Sequence, residues 1–548
     1  MKLNRYFAVI ALGLLTLAAC TKMDEVTYEG GAILSEQNQQ VNLADPSKAT
    51  AAFSGLFTHI GQPDKLGYST PDDFGVLMML FCNDLEGADA LIADSGYNWF
   101  SVCGEYSSRS ASYRNPTIRY KVPYNIIAAC NEFIAGYPED VEDVDALNMI
   151  GQAKALRAYA YLLLAPSFQF AYTTFADPFD EKAAPCVPIC SPDIEDPAHN
   201  PRASVGAIYD IITKDLTSAI ELLDGYTRTS KTFIDQSVAY GLRARAYLNM
   251  GKWEDAYSDA VNAAKGYTPA SIAEVSVPAF NDINEHNWMW GFYMTADMAS
   301  AYPYATTSSW LRSFSGDSYS AAVQCYTMIN TMLYNKIPET DVRKGWWVDE
   351  NLQSPLLDNL TWGDFSGQAI GPGVIDDVKE AFLPYTNVKF ACNSLGNTAN
   401  DEDFPLMRVE EMLLIQAECL ANMNKPTEAT SVLESFIKTY RDPEYSVSGR
   451  GLTLLNEVWF QRRVELWGEG FAIFDTKRLN KPLVRFLGTA ESTNQPTAFR
   501  FNMKADDPWL LMKFANAELN TNLSIVDNTG GSLPVTDQNP TLRDGVTD

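Results

Sequence analysis

Histidine is nearly missing from this chain: three residues, His59, His199 and His286, are scattered through 548 positions. With so few, and with no HExxH run and no paired CxxC, there is no zinc framework, and the lack of a GxSxG elbow removes a common hydrolase arrangement. Basic residues are also scarce, 41 Lys and Arg against 69 Asp and Glu for a net charge of −28, and losing Lys2 and Arg5 with a leader would deepen it. That balance argues against nucleic acid as a partner. The nine cysteines include one close pair, Cys186 and Cys190 in CVPIC, which reads either as a local disulfide or as buried or free thiols. Carboxylate pairs for glycoside hydrolysis are assembled in space, so among so many acidic residues no pair stands out. Asp401, Glu402 and Asp403 read as a solvated acidic loop rather than a calcium site. No catalytic residue, metal or cofactor is expected.

What is present is a chain 46% hydrophobic and 12% aromatic, long enough for two or three lobes around a helical core. Its organising stretch is Leu406 to Lys477. Val409, Met412, Leu413, Gln416, Ala417 and Leu420 share one helical face, while Glu410, Glu411 and Glu418 take the other. A break at Asn422 to Pro426 follows, with Thr427 as a candidate cap, and then a second stripe of Ala429, Val432, Leu433 and Phe436. The same template occurs earlier, where Ala244, Tyr247, Gly251, Ala256 and Ala263 match the spacing of Ala417, Leu420, Asn424, Ala429 and Phe436. Small residues for close helix approach and a turn residue tolerant of unusual backbone angles, in a unit of about 34 residues, predict two TPR-like hairpins.

Downstream, Arg462, Arg463, Glu465, Glu469 and Asp475 are set among Val458, Trp459, Val464, Leu466, Trp467, Phe471 and Phe474. A helix this apolar that keeps its charges is expected to pair them internally, so Arg462, Arg463, Glu465 and Glu469 are predicted structural ion-pair residues. Here the order MRVEEMLLIQAECLA, EVWFQRRVELWGEGFAIFDTKRL and KFANAELNTNL resembles the C-terminal region of the SusD/RagB family, glycan-binding surface lipoproteins of Bacteroidetes. Arg202 to Leu223 and Val122 to Ile134 also look like the family. Gln461, where the family more often has Glu, and Ala472, often Arg or His there, are departures that would reroute an ion pair without changing the fold.

The N-terminus carries Lys2 and Arg5, the apolar FAVIALGLLTLA, too short to span a bilayer, and Leu17-Ala18-Ala19-Cys20. This resembles a bacterial lipobox and makes Cys20 the expected lipidation site. Lys22-Met23-Asp24-Glu25 looks like the export signals of surface lipoproteins in that phylum. The expected organisation is a signal peptide over 1–20, a tether over 21–45, a helical region with TPR-like units over 46–267, a loop-rich aromatic region over 268–400 and a C-terminal region over 401–548. The expected fold is mainly α, a scaffold of TPR-like hairpins with a long irregular insertion. Residues 84–116 read as an irregular loop, and a helix is expected over 150–164, stopped by Pro166.

Aromatics in Gly-, Ser-, Thr- and Asn-rich loops are the expected ligand surface. Trp99, Trp310 and Trp362, with Tyr97 and Tyr302, would stack on sugar rings while Asn98 and Asp94 bond hydroxyls. Trp288 and Trp290 instead read as core. The resemblance implies a non-catalytic lipoprotein, lipid-anchored in the outer membrane and facing the medium, that captures oligosaccharides and passes them to a SusC-like TonB-dependent transporter. A RagB-like peptide carrier and a surface glycoside hydrolase are the alternatives.

Overall fold

The computed structural model describes residues 39, 42, 46–93, 99–170, 184–312, 325–358, 383–391, 393, 399–528, 530 and 532–548. Its N-terminal half begins with α1 (Pro46–Phe57), α2 (Gly75–Glu86), strand β1 (Ala90–Ile92) and the short α3 (Ser101–Glu105). Helices α4 (Arg114–Ala135), α5 (Val144–Phe168), α6 (Val205–Leu222), α7 (Gln236–Met250) and α8 (Trp253–Ala263) follow, with strands β2 (Pro185–Pro188) and β3 (Arg202–Ser204) between α5 and α6. From α4 to α8 each helix packs against the next in sequence. Side-chain caps fix several starts: Asp143 accepts the Ala146 amide at 2.8 Å, and Ser204 accepts that of Ala207 at 3.1 Å.

The second half contains β4 (Trp288–Phe292), β5 (Thr327–Ile329), β6 (Phe404–Arg408), α9 (Val409–Asn422), α10 (Pro426–Tyr440), α11 (Leu454–Glu465) and α12 (Ala472–Arg478). Helix α9 packs on α8 across more than 140 intervening residues, so the second hairpin continues the stack begun by the first. The two turns are built alike. Gly251 has φ +67° and Asn424 φ +58°, and the next amide, of Lys252 or Lys425, reaches back to Tyr247 or Leu420 at 2.9 Å in both. A left-handed residue closing a helix in this way is the Schellman arrangement, for which glycine and asparagine are the suited residues. The architecture is mainly α, a TPR-like scaffold, with three antiparallel two-stranded ribbons among the described residues, β1–β5, β2–β3 and β4–β6.

Several local expectations give way. The 84–116 segment contains β1 and α3. Helix α5 runs from Val144 to Phe168 with Pro166 inside it, near its end, where the missing N–H costs a single bond of a long ladder. Helix α10 starts with Pro426 at its first turn, and Thr427 is not its cap. Glu402 and Asp403 are buried rather than solvated, and Asp403 accepts the amides of Ile283 and Met294, both at 2.9 Å. Burial raises the Asp403 carboxyl to about 6. Of the two readings of Cys186 and Cys190 the thiol one holds, since both are free of any disulfide. The 268–400 region supplies core as well as surface: Trp288, Trp290, Trp310, Trp346 and Trp347 are all buried in the main hydrophobic cluster.

Candidate functional site

Two constellations matter, an open cleft on the N-terminal half and a buried charged core built mainly by the C-terminal half. The cleft has a volume of about 280 Å³ and is lined by Asp72, Met78, Trp99, Val102, Cys103, Ser108, Tyr113, Arg114 and Asn115. Trp99 enters just ahead of α3, and Arg114 is the first residue of α4. The Arg114 guanidinium lies 5.3 Å from the Tyr68 ring centroid and 5.6 Å from that of Trp99. Its Nη1 donates to Asp72 Oδ1 at 3.1 Å and to Thr70 Oγ1 at 2.8 Å. Aromatic faces and a cation are thus held together at a mouth where Arg114 remains 38% exposed. Tyr113 beside it is half exposed.

The middle of the chain reaches the same neighbourhood. Tyr302 donates its hydroxyl to the Ser69 carbonyl at 3.0 Å, and Tyr304 close by is exposed. Trp310 does not join them as a surface ring. It is 1% exposed, meets Phe100 edge-on at 4.4 Å between centroids, and donates Nε1 to the Tyr304 carbonyl at 3.0 Å. Its polar tip has an internal partner and its apolar body an internal neighbour, so the ring buttresses the Tyr304 backbone from below. The other platform candidates, Asp94, Tyr97, Asn98 and Trp362, and the lipidation candidate Cys20, lie outside the described residues.

In the charged core, carboxylates and cations interlock. Glu465 takes Arg441 at 2.8 Å, Arg408 at 3.1 Å and Arg343 at 3.2 Å, and Glu469 takes Arg408 at 2.7 Å and Lys389 at 2.8 Å. Burial alone would raise the Glu465 carboxyl, but three guanidiniums hold it well below the usual range. The Lys389 ammonium falls to about 8 because burial outweighs its carboxylate partners. Arg462 pairs with Asp475 at 2.9 Å, and Arg463 bridges Asp89 at 2.6 Å and Asp544 at 2.7 Å. Gln461 serves as a neutral link, accepting from Arg343 and donating to Glu457 at 2.8 Å. Ala472 contributes its amide, which donates to Asp84 at 3.1 Å.

This core grips the segment that forms the cleft wall. The buried Arg485 donates to the carbonyls of Leu85 at 2.9 Å, Glu86 at 3.1 Å, Gly87 at 2.9 Å and Gly104 at 2.5 Å. Asn83 donates to the Gly470 carbonyl at 3.2 Å, and Asp84 accepts the Gly470 amide at 2.9 Å. Gly470, at φ +91°, is required there, since a Cβ would stand 2.6 Å from that of Leu80.

The sequence matches the model of the SusD family over residues 253–530, and a second model, described as starch-binding associating with outer membrane, over residues 80–248. The chain belongs to the SusD family. Among solved structures it resembles a SusD-like carbohydrate-binding protein from Bacteroides vulgatus, with 24% identity, TM-score 0.68, and coverage of 87% of this chain and 96% of that one. A putative sugar-binding protein of the same species gives 20% identity, TM-score 0.68 and coverage of 89% and 99%. A SusD superfamily protein from Bacteroides thetaiotaomicron gives 19%, 0.66, 88% and 99%. Among curated proteins none matches.

On this SusD-family scaffold Trp99 and Arg114 fall in the 80–248 match, and Tyr302, Tyr304 and the cations around Glu465 and Glu469 in the 253–530 match. Sequence reasoning missed Arg114, Tyr68 and Asp72, which come together only through folding. Arg114 follows a Ser- and Tyr-rich stretch, and no periodic signal marks it as different from other surface arginines. Among the described residues no group of three or more His, Cys, Asp and Glu could hold a metal ion, and no helix is long and apolar enough to cross a membrane.

Proposed function

We propose that this SusD-family protein is a non-catalytic surface lipoprotein, anchored through Cys20, that captures oligosaccharides in the Trp99–Arg114 cleft and passes them to a SusC-like TonB-dependent transporter. The observation that carries the reading is the Arg114 guanidinium held against Trp99 and Tyr68 at the mouth of the 280 Å³ cleft. Aromatic faces match the apolar face of a sugar ring, and a partly exposed guanidinium offers donors to hydroxyls. Two of the similar structures are of a carbohydrate-binding and a putative sugar-binding protein, which supports the ligand class. The carboxyl that lines the cleft, Asp72, pairs with Arg114, and the buried Asp73 next to it in sequence accepts the amides of Leu66 and Tyr68. Neither is poised as an acid and base pair across a glycosidic bond. The LAAC ending and the KMDE that follows support export and anchoring.

A shallow site with few contacts binds weakly, at about micromolar to millimolar, or roughly 4 to 8 kcal/mol. Calorimetry of the purified protein against neutral oligosaccharides, with Trp99→Ala and Arg114→Ala beside it, is the test. Loss of most of the binding heat in both variants, with melting temperatures near that of the parent, is expected. Heat from peptides alone, release of reducing sugar, or normal binding by Trp99→Ala would each overturn the reading. A Cys20→Ala chain should leave the membrane fraction, and membrane retention without an acyl mass on the N-terminal peptide would overturn the anchor.

A further inference from the structure

All seven cysteines among the described residues are free thiols. Cys186 and Cys325 turn their sulfurs toward the carbonyl oxygens of Ala165, at 3.9 Å, and Ala93, at 3.7 Å, and the Cys190 sulfur lies 3.8 Å from Asn131 Nδ2. One pair is placed differently. Cys103 Sγ stands 3.3 Å from Cys82 Sγ, across 21 positions of sequence.

Cys82 belongs to α2 and Cys103 to α3, which packs directly on α2, and the two residues are 0% and 2% exposed. A disulfide has an S–S distance of about 2.05 Å, so bonding needs the sulfurs to approach by about 1.3 Å. Small rotations about the two Cα–Cβ bonds and a slight shift of the five-residue α3 can supply that. The surroundings keep the sulfurs facing one another: Met78 Sδ lies 3.9 Å behind Cys82 Sγ, and Asn115 Nδ2 lies 3.7 Å from Cys103 Sγ. Cys103 also lines the Trp99–Arg114 cleft.

We propose that Cys82 and Cys103 form a modification site, oxidised to a disulfide as the chain folds, by a protein or low-molecular-weight disulfide. One cysteine, as thiolate, attacks a sulfur of the oxidant, forming a mixed disulfide and expelling one thiolate. The second then attacks the cysteine sulfur of that mixed disulfide, forming the Cys82–Cys103 bond and expelling the other thiolate. Two electrons and two protons pass to the oxidant, which leaves as thiols. The exchange belongs to the folding chain, because in the folded one the partner thiol and burial both push the Cys103 thiol well above its ordinary value and shield it. The bond would close a loop that contains Trp99 and tie α3, one wall of the cleft, to the core helix α2. An oxidising compartment for this step rests on the export proposed above, whereas the chemistry of the pair does not, so refolding in vitro separates the two.

The test refolds the full mature chain from denaturant in a buffer of reduced and oxidised glutathione, alkylates it, and maps it by mass spectrometry without reduction. The expected result is a peptide joined at Cys82 and Cys103, two hydrogens lighter than its parts, and a melting temperature a few degrees above that of protein refolded in dithiothreitol. Folded reduced protein given the same buffer should oxidise far more slowly. Cys103→Ala should lose both the joined peptide and the difference in melting; the map on the parent chain decides the matter even if that variant does not fold. Alkylation of both Cys82 and Cys103 after oxidative refolding would overturn the proposal. So would joining of either to another cysteine, or a soft metal ion held by Met78, Cys82 and Cys103 in place of the bond.

Discussion

Replacing Arg463 with alanine removes the cation shared by two carboxylates that are far apart in sequence, Asp89 beside β1 and Asp544 four residues from the C-terminus. Their side chains are 7% and 1% exposed, so water cannot take over the role of the guanidinium without local rearrangement. Breaking one buried pair costs on the order of 3 to 5 kcal/mol, much of it from the charge left behind. Here two like charges are left, but the adjoining cavity, about 20 Å³ and lined by Asp89, Arg463 and Asp544, can admit a water, which keeps the loss within that range. The pH dependence gives a second readout. In the parent, burial raises the Asp544 carboxyl, but Arg463 and the amides of Thr547 and Val546 outweigh it and hold the group below its ordinary value. Its contribution is therefore present above the unfolded carboxylate range and is lost as the pH falls through the lowered value. In Arg463→Ala the largest cause of that lowering is gone and the Asp544 carboxyl rises, so the deficit should be largest near pH 7 and should shrink toward pH 4, where Asp544 can take up a proton. Urea unfolding at both pH values, followed by tryptophan fluorescence and by proteolysis of the C-terminal tail, checks this. A variant that unfolds with the parent at pH 7 but binds ligand poorly would refute the structural role and point to a functional one.

Trp310→Ala should destabilise by about 3 to 5 kcal/mol, as expected for a large buried ring that leaves a cavity, and a thermal melt would show it before any loss of binding by the folded fraction. Arg114→Lys should keep charge but lose the planar contact with Trp99 and Tyr68; its calorimetric affinity should fall with little change in melting. Burial raises the Asp84 carboxyl to about 7, so the folded chain holds that proton where the unfolded one has released it. Stability should fall from about pH 4 to 7 on its account, and Asp84→Asn should flatten that part of the urea midpoint against pH curve. Lys477, lowered to about 7 by burial, works the other way, and Lys477→Met should remove a rise in stability between about pH 7 and 10.

How much of this could be read from the chain depends on how local the cause is. The two hairpins were legible because helical period and a left-handed turn residue are properties of short windows, and Gly251 and Asn424 occupy equivalent backbone states as their equivalent spacing implied. The charges of Arg462 to Glu469 were legible as internal because so apolar a helix leaves them nowhere else to go, yet their partners Asp89, Lys389 and Asp544 were not. Nothing local marks a carboxylate as the mate of an arginine 374 positions away. Trp310 shows the reverse failure. A ring among Ser and Thr looks exposed, but Thr306, Thr307, Ser308 and Ser309 are themselves buried. The Thr306 hydroxyl accepts the Ser309 amide at 3.1 Å, capping a short helix in the interior. Small polar residues whose hydrogen bonds close locally can line a core, so composition alone misplaces the ring.

The long-range contacts also explain why the C-terminal stretch can organise a site that lies mostly in the first quarter of the chain. Trp99, Val102 and Cys103 line one side of the cleft, and the backbone carbonyls of Leu85, Glu86, Gly87 and Gly104 are met by one buried guanidinium, Arg485. Burial lowers that guanidinium to about 10, so it remains charged at neutral pH and its donors stay in place. Asp89 is held by Arg463, and its carbonyl by Trp467 Nε1 at 3.2 Å. Glu86, which burial would neutralise, stays below its ordinary value because Arg119 and Arg109 flank it, and the same Arg119 bonds Asn83 and Asn115. A ligand cleft assembled from irregular backbone needs its shape supplied from outside, because short elements such as β1 and α3 have little cooperativity of their own. The charged core provides that support by meeting backbone carbonyls directly. Its worth to the molecule is therefore measured better by the geometry of the Trp99–Arg114 mouth than by the net energy of any ion pair, which desolvation reduces to little.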